Sequence, residues 1–199
     1  MNKWLYLSCF FLIFSSCELL RNRGHKTKPK EVYAYYTKDF VLPAENPLRT
    51  DGIYYRVSEE KFDYKKNTYD RYYKQRPHPA IGENKHKNDT TIYFNRWYYY
   101  QFSQHGDWIS SGGYYSKEEM LAKASPFSTS GDYPVYKIEE TSANVTILGL
   151  EAYNWYRNNF TYLQARAAAD SLWVSGKAKK DEKPEFEGKP YVFHPFVTK

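Results

Sequence analysis

Cysteine is nearly absent from this chain of 199 residues. The sequence contains two, Cys9 and Cys17, and both lie within the first seventeen residues. The remainder therefore has no thiol for a disulfide, although small exported domains often rely on disulfides. A hydrophobic core has to hold it together instead, which is feasible because a domain of about 150 residues buries roughly 68–70% of the surface of its unfolded chain.

The N-terminal apolar run is too short to be a permanent membrane span. It covers Trp4 to Phe14, eleven residues, whereas a helix needs roughly 20 to cross a bilayer. Lys3 precedes the run, and the small residues Ser15 and Ser16 follow it. A positive residue, a short apolar stretch and small residues are the pattern of a secretory signal, so we expect residues 1–16 to be removed as a signal peptide.

The residues Phe14-Ser15-Ser16-Cys17 resemble the lipobox of bacterial lipoproteins. The resemblance implies that Cys17 becomes the first residue of the mature chain and carries fatty acyl groups such as palmitate, which anchor it in a lipid bilayer. Glu18 follows the cysteine, where Asp marks inner-membrane retention in that family, so the implied location is the outer membrane of the cell envelope. An ordinary cleaved secretory signal is the alternative.

The charge balance does not favour nucleic acid as a partner. The chain has 29 basic and 23 acidic residues. Loss of residues 1–16 removes only Lys3 and no acid, which leaves 28 minus 23, or +5. That is mild for a nucleic-acid-binding domain, where a clustered basic face is expected.

Recognisable catalytic and metal-binding motifs are missing. There is no Gly-x-Ser-x-Gly nucleophile elbow and no P-loop, and the histidines do not have the close spacing of a zinc helix or knuckle. Adjacent carboxylates are not enough for glycoside hydrolysis, which needs two carboxyls facing each other across a cleft. We therefore expect no catalytic residue, no metal and no cofactor, and an envelope hydrolase is the least supported function. The adjacent carboxylates are Glu59-Glu60, Glu118-Glu119 and Glu139-Glu140.

Aromatic residues are abundant, at 20% of the chain with 22 Tyr, and they favour strands. Short alternating segments separated by turn residues predict a mainly β fold, an antiparallel meander, barrel or sandwich. Ser116-Lys117-Glu118-Glu119 fits a capping box and predicts one short helix to about Ala124. The segment 160–174 has helix propensity but also fits a hairpin, which we favour. The other strands are predicted at 53–57, 90–102, from 108, 135–139, 144–150 and 191–193.

The domain organisation follows from the same pattern. We expect residues 17–47 to be a lipidated N-terminus and tether, and 48–199 to be a single β-rich domain. Within the tether, 18–30 is either a solvated spacer or a basic contact with lipid headgroups, and 31–47 should pack along the domain. A long loop or irregular hairpin is expected at 58–88. The entry at 48–55 and the hairpin around Asp170-Ser171-Leu172 resemble the lipocalin-like β lipoproteins of Gram-negative bacteria.

The longest predicted strand has one apolar face, which we expect to be core, and it is interrupted by Arg96. That face carries Ile92, Phe94, Tyr98, Tyr100 and Phe102. Other aromatics could form a platform or cavity for sugar rings or an apolar ligand, or simply belong to the core. These candidates are Trp97, Tyr99, Trp108, Tyr114, Trp155 and Tyr156.

The resulting hypothesis is a membrane-anchored, non-catalytic binding module for an apolar ligand or a glycan. The alternative is a structural lipoprotein that contacts an envelope protein. An enclosed cavity would favour ligand binding, and a filled core with an exposed aromatic patch would favour surface recognition. The interleaved cations and aromatics of 71–76 predict a solvated loop that could contact acidic glycan.

Overall fold

The structure is a computed structural model, and it describes residues 28–63, 91–127, 133–154, 157–176 and 186–196. The signal peptide with Cys17, most of the loop expected at 58–88 and most of the charged segment 176–188 lie outside these described residues. None of the helices within the described part of the chain is long and apolar enough to cross a membrane.

Eight strands form one antiparallel sheet in the order β3-β2-β1-β8-β7-β6-β5-β4. The only α-helix among the described residues, α1, covers Lys117–Lys123, and a 3₁₀ turn covers Lys30–Val32. This confirms the predicted mainly β, antiparallel fold with one short helix. The strands are β1 Gly52–Asp63, β2 Thr91–Phe102, β3 Trp108–Tyr114, β4 Val135–Thr141, β5 Thr146–Asn154, β6 Asn159–Ala168, β7 Ser171–Ser175 and β8 Tyr191–Pro195.

The sheet is not closed, but its two edge strands meet at one point. Among the described residues, one isolated bridge pairs Asp107 with Val135. It is flanked by backbone hydrogen bonds from Trp108 N–H to the Pro134 carbonyl at 3.0 Å and from Tyr136 N–H to the Gly106 carbonyl at 2.7 Å. On either side of this bridge β3 and β4 diverge and form no ladder with each other. The sheet therefore curves around its core but is not a closed barrel.

One face of the sheet, here called the core face, carries the main hydrophobic core. The predicted core face of β2 is confirmed for Tyr98, Tyr100 and Phe102, which belong to this core; the Ile92 side chain lies outside the described part. Side chains from the other strands complete it by strand alternation. The buried members are Leu48, Tyr54, Phe102, Trp108, Tyr136, Leu148, Leu150, Ala165, Ala167, Leu172, Tyr191 and Phe193.

Helix α1 covers part of the opposite, outer face. Met120 is fully buried against Ile53 and Tyr99. The predicted cap is confirmed, since the Ser116 hydroxyl accepts the Glu119 N–H at 3.0 Å. The reciprocal bond goes to the Tyr115 N–H, which donates to the Glu119 carboxylate at 3.1 Å, rather than to the N–H of Ser116.

The segment 160–174 forms a hairpin, as predicted in preference to a helix. β6 and β7 pair in register from Gln164↔Ser175 to Ala168↔Ser171, and the turn residue Ala169 has a positive φ of 47°. β6 also pairs with β5 along its whole length. Two ladders and the complete burial of Ala165 and Ala167 outweigh the small local helix preference of alanine.

Residues 31–47 pack along the domain, as their apolar positions predicted, first on the outer face of β4, β5 and β6 and then, through Phe40 and Leu42, against the main core. Tyr33 contacts Phe160 edge-on at 5.2 Å. The Tyr35 N–H donates at 2.7 Å to the carboxylate of Glu151, which is fully buried. Leu42 N–H donates to the Gln104 carbonyl at 2.8 Å, so the segment crosses toward the β2–β3 turn.

β1 extends through Asp63 instead of ending near Val57, because it pairs with β2 as far as Asp63↔Thr91. The first residues of the expected loop at 58–88 are therefore strand. β8 pairs only with the beginning of β1, up to Tyr55↔Val192. Beyond Tyr55, β1 therefore pairs with β2 and no longer with β8.

The close approach of β1 to β8 predicts that Gly52→Ala destabilises the fold. A Cβ at Gly52 would lie 2.1 Å from the His194 carbonyl oxygen and 2.6 Å from the Phe193 ring. Overpacking of this kind costs about 1–3 kcal/mol or more, which urea unfolding monitored by tryptophan fluorescence will measure. Gly176→Ala is the control, because nothing lies within 4 Å of its added Cβ. Equal stability of the two variants would contradict the packing argument.

Candidate functional site

Three of the predicted site aromatics lie together on the outer face, in the cluster beneath α1. Tyr99 is 5% exposed and stacks on Tyr114 with the ring centroids 6.2 Å apart and the planes 11° from parallel. Trp97 lies against Tyr55 at 5.8 Å. These rings pack the helix onto the sheet.

Trp108 lies on the core face, away from that cluster. It is 3% exposed, and its indole Nε1 donates to the carbonyls of Val135 at 2.9 Å and Glu151 at 3.2 Å. The side chain thus joins β3 to β4 and β5 across the core. Trp155 and Tyr156 lie outside the described residues. The described candidates therefore do not form one platform, since they are divided between two faces of the sheet.

A different constellation lies on the core face of β1 and β2, where arginines replace apolar residues. Arg56 follows the buried Tyr54 by two positions, and Arg96 precedes Tyr98 by two positions. The register pairs Arg56 with Tyr98, so Arg56 and Arg96 are diagonal neighbours. Diagonal neighbours on one face are about 7–8 Å apart, which is within reach of two long side chains.

Each guanidinium is stacked on a tyrosine ring, on opposite sides of the β1–β2 pair. The Arg56 Cζ lies 4.5 Å from the centroid of the Tyr191 ring on β8. The Arg96 Cζ lies 4.8 Å from the centroid of the Tyr115 ring, and Arg96 Nη1 donates to the Tyr115 hydroxyl at 3.2 Å. Arg56 Nη1 makes a long contact of 3.4 Å with the Lys189 carbonyl. Stacking on aromatic rings holds the planes of both guanidiniums.

A glycine in the left-handed region makes room for Arg96. Gly113 has φ +86°, and a Cβ there would lie 1.7 Å from Arg96 Nη2. It lies where the pairing of β2 with β3 shifts register, between Trp97 and Tyr98. The backbone irregularity and the absent side chain together create the space that the guanidinium fills.

Part of the donor capacity of the two arginines is unused. Arg56 Nε and Arg96 Nε are shielded from solvent and have no hydrogen-bond partner. Within the described residues, neither guanidinium forms an ion pair with a carboxylate. The Glu60 carboxylate on the same face accepts a hydrogen bond from the Tyr98 hydroxyl instead. We call Arg56, Arg96, Tyr98, Tyr100 and Tyr191 the arginine–tyrosine face.

The tyrosine hydroxyls of this face are protonated at neutral pH. Burial raises the pKa of Tyr100 to about 12, helped by neighbouring Tyr191 and opposed by Arg56. Burial also raises the pKa of Tyr191 and that of Tyr98, for which the bond to Glu60 is the second cause. The Tyr100 and Tyr191 hydroxyls are therefore neutral, and that of Tyr98 donates to Glu60, so the face combines fixed positive charge with neutral hydroxyls and aromatic rings.

Only part of this face is visible in the sequence. Two signals point to it: the interruption of the apolar β2 face by Arg96 and, more weakly, Arg56 in the alternating pattern of β1. Tyr115 and Tyr191 come from other parts of the chain, and only the strand register brings them to the guanidiniums.

An apolar groove of about 530 Å³ lies at the C-terminal end of α1 on the outer face. Ser125 and His194 are the polar residues on its wall, and the His194 ring lies 6.2 Å from the Tyr55 ring. Within the described residues, no group of three or more His, Cys, Asp and Glu side chains could hold a metal ion. The apolar wall of the groove comprises Ile53, Leu121, Ala122, Ala124, Pro126 and Phe196.

No protein-family model, no curated protein and no solved structure matches this chain.

The raised pKa of Tyr100 predicts a loss of stability at alkaline pH. Its folded pKa of about 12 exceeds the ordinary value of 10, so the unfolded chain ionises first, and stability present below pH 10 falls as the pH rises toward 12. One such group contributes up to about 1.4 kcal/mol per pH unit. Tyr100→Phe should reduce the slope of unfolding free energy against pH by up to this amount. Tyr93→Phe is the control and should keep the wild-type slope, because the Tyr93 side chain is 63% exposed. An unchanged slope in Tyr100→Phe would contradict the burial argument.

Proposed function

We propose that this chain is a lipid-anchored lipoprotein of the cell envelope whose β domain is a non-catalytic binding module for a glycan or an apolar ligand. The observation that carries the proposal is the arginine–tyrosine face, where two guanidiniums with no carboxylate partner among the described residues lie beside tyrosine rings and protonated hydroxyls on one side of the sheet. Ligand sites combine apolar surface with a few polar groups that fix orientation, and this face has both.

Between the two ligand classes, a glycan is better supported. The hydroxyls and guanidiniums of the face are hydrogen-bond donors, and sugars supply acceptors in abundance. An apolar ligand would leave these donors without partners, which is costly for desolvated groups. The groove beside α1 is the location that favours an apolar ligand, since its wall is mainly hydrocarbon.

The second candidate function is a structural lipoprotein that contacts an envelope protein. It is favoured by the part of β1 and β2 that extends past their neighbours, 56–63 and 91–96, because Tyr93 and Val57 there are exposed large side chains. An envelope hydrolase has the least support, because the arginine–tyrosine face has no paired nucleophile and base.

The anchor part of the proposal rests on the lipobox-like residues before Cys17. Acylation at Cys17 predicts that cells grown with a labelled fatty acid incorporate the label into the wild-type protein and not into Cys17→Ala. The variant should also leave the membrane fraction, because no other acyl chain would hold it. Cys9→Ala is the matched control, as it removes the other thiol inside the expected signal peptide. Label retained in Cys17→Ala would overturn the lipoprotein assignment.

The binding part predicts a thermal shift with a suitable oligosaccharide or lipid. A ligand at a hundredfold excess over its Kd stabilises the folded state by about 2.7 kcal/mol, which corresponds to roughly 5–11 °C in Tm for a chain of this size. A panel of neutral and acidic oligosaccharides and single-chain lipids tests this. Tm values that stay constant across the whole panel would instead favour the structural role.

A further inference from the structure

We propose that the arginine–tyrosine face binds the anionic group, carboxylate or phosphate, of an acidic glycan, with Arg56 and Arg96 as the anion-binding residues. This inference rests on the binding function proposed above and names the ligand class. None of the residues of this face is among the aromatic candidates predicted from the sequence.

The first argument is that neither guanidinium has a counter-ion among the described residues. Arg56 and Arg96 are half-buried, and no described carboxylate forms an ion pair with either of them. Their side-chain hydrogen bonds to described residues end on neutral oxygens, the Lys189 carbonyl for Arg56 and the Tyr115 hydroxyl for Arg96. A partly buried charge is unfavourable without an opposite charge, and donors to charged oxygens form the stronger hydrogen bonds, so an anionic group on this face would supply what the described residues do not.

The second argument is that the guanidiniums are held in place before any ligand arrives. Tyr191 supports Arg56 and Tyr115 supports Arg96 through ring stacking, and Gly113 receives the Arg96 group at a register shift. Two guanidiniums positioned in this way present planar donors of the kind that suit the oxygens of a carboxylate or a phosphate.

The third argument is the charge of the face. Glu60 is the only carboxylate placed there by the described β1 and β2 strands, and it is engaged by the Tyr98 hydroxyl. The remaining titratable groups of the face are tyrosines, whose pKa values are raised by burial. Two positive charges therefore face one negative charge, which favours an anion.

The sugar part of the ligand is indicated by hydroxyl groups around the arginines. Ser58 pairs with Arg96 across the strands, and Ser110 lies exposed beside Tyr100 on β3. The Tyr98 hydroxyl on this face donates to Glu60 and keeps its capacity to accept. The hydroxyl groups of an oligosaccharide can pair with such neutral groups while its acidic group contacts the arginines.

The experiment is titration calorimetry on the full mature protein with three probes. These are a hexamer of galacturonic acid, a neutral glucose hexamer of equal length, and inorganic phosphate. We expect the acidic hexamer to bind at least tenfold more tightly than the neutral one at 50 mM salt. Arg56→Gln and Arg96→Gln should each weaken it by about tenfold, with the neutral hexamer unaffected.

The matched control is Arg166→Gln. Arg166 is stacked over Trp173 with its Cζ 5.0 Å from the ring centroid, on the outer face of β6, so the substitution removes the same charge and the same kind of contact away from the site. Arg56→Lys and Arg96→Lys keep the charge but lose the planar donor edge. Each should fold, as checked by Tm, and retain only part of the affinity.

The outcomes separate the two proposals. Equal affinity for the acidic and neutral hexamers, unchanged in the arginine variants, overturns the anionic site and leaves glycan binding intact. If neither hexamer binds, both the anionic site and glycan binding are overturned. A loss in Arg166→Gln as large as in Arg56→Gln also overturns the site, because general charge would then explain binding. Competition by millimolar phosphate would support a site that recognises the anion itself, and binding that phosphate does not displace would support a site for the carboxylated sugar.

Discussion

The pairing of β1 with β8 is the contact on which the rest of the sheet depends. The chain makes two runs of sequential hairpins, β1 to β3 and β4 to β8, and the sheet order joins them at this pair. Only four residues of β1 take part, from Gly52 to Tyr55, and Gly52 allows the backbones to approach. The buried ring of Tyr54 meets Phe193 edge-on at 5.2 Å directly beside this pairing. This short ladder and its aromatic contact join the two runs on one side, and the Asp107–Val135 bridge and the Trp108 side chain join them on the other.

Much of the strand pattern could be read from the sequence, because alternation and turn residues are local properties. The core face of β2, the cap at Ser116 and the hairpin with Asp170 at its turn all follow from neighbours a few residues apart. The location of Trp108 does not, since only its register opposite Phe102 places it on the opposite face from Trp97 and Tyr99. The extension of β1 to Asp63 was missed because its charged residues are stabilised by pairing with β2, a partner distant in sequence.

The candidate site illustrates the same limit. An arginine on an apolar strand face can be recognised as unusual from sequence, but its meaning depends on which rings surround it. Tyr191 reaches Arg56 from β8. Tyr115 reaches Arg96 from the position that follows β3, after the bulge at Gly113. Most of the aromatic residues serve packing between layers, and it is the arginines stacked on a few of them that give one face its distinct chemistry.

The N-terminal segment also determines how force would enter the domain if Cys17 is held in a membrane. The Lys30 ammonium contacts the Asp107 carboxylate at 2.5 Å, and the Tyr35 N–H is held by the buried Glu151. Asp107 forms the bridge between β3 and β4, and Glu151 is in β5. A pull from the anchor would therefore load the two edges of the sheet together where Asp107 pairs with Val135, before it reaches the strands that carry the arginine–tyrosine face.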